Sequence, residues 1–102
     1  MELEMYKGKP NTDNYELFYR AVLSLDNDEE CRGFFEDIMT RSELDAIAQR
    51  LQIGVMLTEG KTFSEVNTET GASSATITKV NQRLKHGAGS ILPVLAKLQG
   101  EE

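Results

Sequence analysis

Apolar residues recur along this chain at the three- and four-residue spacing of helices, interrupted by short polar or glycine-bearing stretches. Tyr15, Phe18, Tyr19 and Val22 fall at i, i+3, i+4 and i+7, which predicts an amphipathic helix from Asn11 or Thr12 to about Leu25. After the polar break Asp26, Asn27, Asp28 comes a second stripe, Cys31, Phe34, Phe35 and Ile38, on a short helix ending at Met39. Asp28, Glu29 and Glu30 suit the positive end of its dipole. Thr40 and Glu43 have the spacing of a capping box, so a third helix starts at Thr40. Leu44, Ile47, Ala48, Leu51 and Val55 form one stripe on it, and Ile53, Met56 and Leu57 widen that stripe beyond half the circumference, which predicts a central position. Gly54 within it costs about 1 kcal/mol relative to alanine. Either another helix approaches closely there or the glycine is simply tolerated.

Gly60 is expected to end the third helix in a left-handed conformation, and Thr62 with Glu65 forms a second capping box opening a short helix to Thr70. Gly71 ends that one. Ser73 or Ser74 caps a fifth helix with Ile77, Val80 and Leu84 as its inward stripe, closing at the loop His86, Gly87, Ala88, Gly89. A sixth begins at Ser90, takes Pro93 in its first turn, where a missing amide hydrogen costs little, and buries Ile91, Val94, Leu95 and Leu98. The expected fold class is therefore all-α, with six helices. Residues 1–10 lack apolar periodicity and read as a flexible arm before a domain over residues 11–102.

Composition narrows the functional classes. A chain of 102 residues, 39% hydrophobic and 27% charged, suits one domain with a real core. No apolar run approaches the roughly 18 residues of a membrane span. The acidic start Met1, Glu2, Leu3, Glu4 lacks the regions of a signal peptide, so a cytoplasmic protein with no membrane partner is expected. The single Cys31 reads as a small core hydrophobe. His86 is the only histidine, and no ligand set or nucleophilic dyad surrounds it, so neither metal, cofactor nor enzymatic chemistry is expected.

A net charge of −6 opposes nucleic-acid binding until its distribution is considered. Residues 1–40 hold ten acids against four bases, whereas residues 41–100 hold five acids against seven bases. The acid is concentrated away from the segment at residues 62–85, whose helix, four-residue turn and helix have the layout of a DNA-binding helix-turn-helix. Val66, Ala72, Ile77 and Val80 supply the apolar positions that let its two helices pack. Ser74, Ala75, Thr78, Lys79, Gln82 and Arg83 are left outward, with Thr76 at the boundary. Residues 73–78, including Ser73 and Thr76, are then candidates for base edges, where hydroxyls serve donor or acceptor positions and methyl groups meet thymine. Lys79, Arg83 and Lys85 are candidates for phosphates. Two helices joined by a glycine turn also pack in proteins with no DNA near them, and Glu65 and Glu69 weigh toward that alternative, a helical protein-interaction module.

The stretches MTRSEL at 39–44, QRL at 49–51, LTEGKT at 57–62 and above all ETGASSATITKV at 69–80 resemble the Trp-repressor superfamily, and within it the YerC/YecD group of bacterial proteins. The resemblance runs from Tyr15 to Leu98. It implies an intertwined homodimer that presents two recognition helices to successive major grooves of double-stranded DNA, as a transcriptional regulator of repressor type. The apolar excess of the first three helices agrees with a dimer. The founding member closes on DNA when tryptophan fills a pocket between core and recognition helix. Here Met39, Thr40 and Arg50 match that pocket. Lys79 stands where a second arginine would stack on the indole, Val80 where a glycine leaves room, and Arg83 where a serine helps hold the amino group. Lysine lacks a planar face and valine adds volume. Thr40, Arg50 and Lys79 thus outline a degenerate effector pocket, and tryptophan is not expected in it. Ser64 and Asn67 replace basic residues that reach phosphates, which implies weaker electrostatic anchoring.

Overall fold

The computed structural model describes residues 12–100, so the arm expected over residues 1–10 lies outside the described residues. Its helices are α1 (Thr12–Leu23), α2 (Asp28–Ile38), α3 (Arg41–Thr58), α4 (Phe63–Thr70), α5 (Ser74–His86) and α6 (Ile91–Gln99), with no strand among the described residues. The chain divides into two compact units, one ending at Thr40 and the other beginning at Arg41.

In the first unit α1 stops at Leu23, two residues before the expected end, where the Ser24 hydroxyl donates to the Ala21 carbonyl at 2.7 Å. Asn27 caps α2 by accepting from the Glu30 amide at 2.9 Å, and the Glu30 carboxylate accepts from the Asp26 amide at 3.0 Å. Both helices are held together by rings: Phe18 lies 6.3 Å from Phe34 and 6.4 Å, edge on, from Phe35. Such pairs add about 0.5–1.5 kcal/mol beyond the area they cover. The seam is shallow. Phe34 and Phe35 are only half-buried, and Cys31 and Ile38 are exposed, contrary to the expectation of a buried α2 stripe. Two helices side by side cover the line between them and leave the flanks of each stripe open.

The second unit contains a closed core of Ile53, Met56, Val66, Ala72, Ile77 and Val80, with Leu57 and Leu84 packed at its margin. Ile53, Val66 and Ile77 are sealed from solvent. This core uses the face of α3 that the sequence pattern treated as an extension. The principal stripe stays open, with Ile47 and Leu51 about half exposed. On α6 only Leu95 is buried, and Val94 and Leu98 are exposed where burial was expected. Nine residues make two and a half turns, and one chain covers only one side of them. At the end of α3 the Lys61 amide donates to the Met56 carbonyl at 3.0 Å and the Gly60 amide to Leu57 at 3.1 Å. Gly60 has a φ of +87°, the left-handed residue this termination requires.

Candidate nucleic-acid interface

The segment that could meet DNA is built on α4, a turn, and α5. Thr62 opens α4 with the reciprocal pair its spacing predicts: its hydroxyl accepts from the Glu65 amide at 3.1 Å and its own amide donates to the Glu65 carboxylate at 2.9 Å. The Thr62 amide, and after it the Thr62 hydroxyl, hold the Glu65 carboxyl below its ordinary value of 4.5. The turn is Gly71, Ala72, Ser73, three residues where four were expected. Gly71 sits at φ +74°, and its amide donates to the Asn67 carbonyl at 2.9 Å.

Side chains satisfy the rest of the turn. The Asn67 amide group donates to the Ala72 carbonyl at 2.7 Å, and the Thr70 hydroxyl accepts from the Ala72 amide at 3.1 Å while donating to Val66 at 2.7 Å. From α3, Gln49 donates to the Thr70 carbonyl at 3.2 Å. A turn with its backbone groups so occupied holds the angle between α4 and α5. Asn67, which enters the sequence reading only as a replacement for a basic residue that reaches phosphates, is a strut of that turn.

α5 is capped by Ser73, whose hydroxyl accepts from the Thr76 amide at 3.2 Å and donates to the Thr76 hydroxyl at 3.1 Å. Ser73 and Thr76 are therefore engaged in the cap. Of the candidate DNA-contacting residues, Ser73, Ser74, Ala75, Thr78, Lys79, Arg83 and Lys85 are exposed, and Thr76 is half-buried. Ile77 and Val80 point into the core. The last turn carries Arg83, Lys85 and His86, where cations suit the negative end of the helix dipole.

Behind this face lies a cleft of about 800 Å³ between α3, α5 and Ile91 of α6. Arg50 and Lys79, two of the three effector-pocket candidates, both line it. Thr40 is not among its lining residues. Val80 walls it beside the apolar Ile47 and Leu51, and a Cβ on Gly54 would meet Ile91 at 3.9 Å and Val80 at 4.0 Å, ordinary contact distances. No steric demand for glycine exists there, which favours the simpler of the two readings of Gly54. Arg83, Gln82 and His86 also line the cleft. Lys79, Gln82, Arg83 and His86 stand at i, i+3, i+4 and i+7, a polar stripe that pattern reading aimed at apolar stripes passed over. No group of His, Cys, Asp and Glu able to hold a metal ion occurs among the described residues.

A family model described as Trp repressor protein matches residues 13–99. The chain belongs to the Trp-repressor family. It is 40% identical over 87 residues to the uncharacterised protein YerC of Bacillus subtilis, covering 85% of this chain and 80% of that one. A Trp-repressor-like protein from Eubacterium eligens superposes with a TM-score of 0.82 at 36% identity, over 87% of this chain and 92% of its own. A candidate Trp repressor from Staphylococcus aureus gives 0.81 at 33% identity, over 97% and 95%. The all-α Trp-repressor-like fold and the kinship with the YerC group both follow. No described helix is long and apolar enough to cross a membrane.

Proposed function

We propose that this Trp-repressor-family chain is a sequence-specific DNA-binding transcriptional regulator that acts in the cytoplasm as a homodimer, with α5 as the recognition helix. The observation that carries the reading is the exposed face of α5. Ser74, Ala75 and Thr78 present small hydroxyl and methyl groups between the rigid turn and the cations Lys79, Arg83 and Lys85. A surface of that size enters a major groove about 12 Å wide. The homodimer is supported by apolar side chains left open on the single chain: Tyr15, Tyr19 and Leu23 on α1, Ile38 on α2, Val94 and Leu98 on α6. Two copies would cover them and set recognition helices about 34 Å apart, one turn of duplex. No catalytic step belongs to this reading, and tryptophan is not its effector.

Salt-titrated gel shifts on duplexes selected from random DNA test it. Lys79→Ala, Arg83→Ala and Lys85→Ala should each weaken binding to all sequences alike and lower the salt slope by about 1. Bulky replacements of Ala75 or Thr78 should change which sequence is preferred, single mismatches costing roughly 1–3 kcal/mol. The net charge of −6 and exposed Glu69 favour a second reading, a dimeric helical module that binds a protein partner. Failure of every duplex to bind at low salt would select it.

A further inference from the structure

The cleft behind α5 combines a cationic rim with an apolar wall. Arg50 from α3 and Lys79 and Arg83 from α5 supply three positive charges, with Ile47, Leu51 and Val80 behind them. No carboxylate lines it, and none of the three cations is in an ion pair among the described residues. The whole stretch over residues 41–100 has only seven lysines and arginines, so three of them converge on one concave site in a chain of net charge −6. Uncompensated like charges repel one another, and an anion at their centre relieves that repulsion. An amino acid is a poor occupant, because Arg83 stands where its ammonium would need an acceptor and no carboxylate lines the cleft. A volume of about 800 Å³ falls within the range of small-molecule sites.

We infer that this cleft binds a small ligand carrying at least two negative charges on a compact apolar body, and that the ligand competes with DNA for Lys79 and Arg83. The second half rests on the DNA-binding reading; the first does not. Lys79 and Arg83 stand on the exposed side of α5 and also line the cleft. A guanidinium or ammonium turned inward onto a ligand anion is withdrawn from a phosphate outside. The ligand then lowers DNA affinity, and by linkage DNA lowers ligand affinity by the same factor. Arg50, on α3, serves the ligand alone.

Calorimetry on the full chain with phenyl phosphate, inorganic phosphate and L-tryptophan tests the site without DNA. Phenyl phosphate should saturate at one per chain, at least tenfold more tightly than inorganic phosphate, with no heat from tryptophan. Arg50→Gln should weaken it at least tenfold. Gln82→Glu, an exposed change that places a carboxylate in the cleft, should do the same and guards against misfolding of the first variant. Phenyl phosphate should then release bound duplex beyond the effect of sodium chloride at equal ionic strength, and should fail to do so with Arg50→Gln. Absence of saturation, equal binding of inorganic phosphate, indifference to both substitutions, or tighter DNA binding with the ligand present would each overturn the inference. If no duplex binds at low salt, the competition falls with the DNA reading, while the calorimetry still decides the site.

Discussion

Phe18, Phe34 and Phe35 bring α1 and α2 into ring contact yet stay partly exposed, whereas Ile53, Val66 and Ile77 around the helix-turn-helix are sealed. Both regions show the same three- and four-residue apolar spacing. The difference is geometric. α3, α4 and α5 surround a common point from three directions, so inward side chains lose water on every side. Two helices joined along a seam leave the flanks of each apolar stripe in water. The lesson is that apolar periodicity measures how much surface asks to be covered, while the number of helices converging on it determines whether one chain can cover it. In this protein the helix-turn-helix is complete within the chain, and the open stripes of α1, α2 and α6 are the surface proposed for a second copy.

The comparison is broken most directly in the closed core. Ile77→Ala should cost about 2–5 kcal/mol, through lost transfer energy and the cavity left behind. Urea unfolding measures it, and a loss much below 1 kcal/mol would mean that the core is not what holds α5 in place.

The open region should answer differently. Leu23 is 84% exposed, so Leu23→Asp should leave the helical content of the chain intact. It should nevertheless raise the dissociation constant of the proposed dimer at least tenfold, about 1.4 kcal/mol, as read by analytical ultracentrifugation. An unchanged association constant would remove α1 from the interface.

Gly54 offers a smaller effect of opposite sign. A Cβ there meets its neighbours at ordinary distances, so Gly54→Ala should raise stability by up to about 1 kcal/mol through helix propensity. Thermal denaturation tests this, and a lower melting temperature would show that α3 requires glycine at the cleft.

The smallest change concerns Glu65, whose folded value is depressed by its bonds to Thr62. Its contribution is present above the unfolded value, near 4.5, and is lost as pH falls through the lower folded value. Helical signal should therefore fall less steeply with acid in Glu65→Gln than in the parent. Identical acid titrations would mean that the capping box does not couple to folding.

Some of the site was legible because it depends on neighbours in the chain. The Thr62 and Glu65 box, the left-handed Gly60 and Gly71, the Ser73 cap and the outward set from Ser74 to Arg83 are all local matters of spacing and backbone freedom. The cleft was legible only in part. Arg50, Lys79, Val80 and Arg83 were anticipated through resemblance, but Gln82 and His86 became lining residues only once the α3 residues from Ile47 to Gly54, 28 or more positions earlier, were packed against α5.

By itself, then, the sequence determined the six helices, their bounds to within one or two residues, and which residues of α5 cannot face the core, because caps, glycine conformations and helical periodicity act within a few residues. Tertiary structure alone decided which face of α3 is buried, that Cys31 and Ile38 stay open, that α6 commits only Leu95, and that three cations meet at one cleft. Each of these depends on which distant surface arrives to exclude water. α3 offered apolar residues on more than one face, and only packing could choose between them.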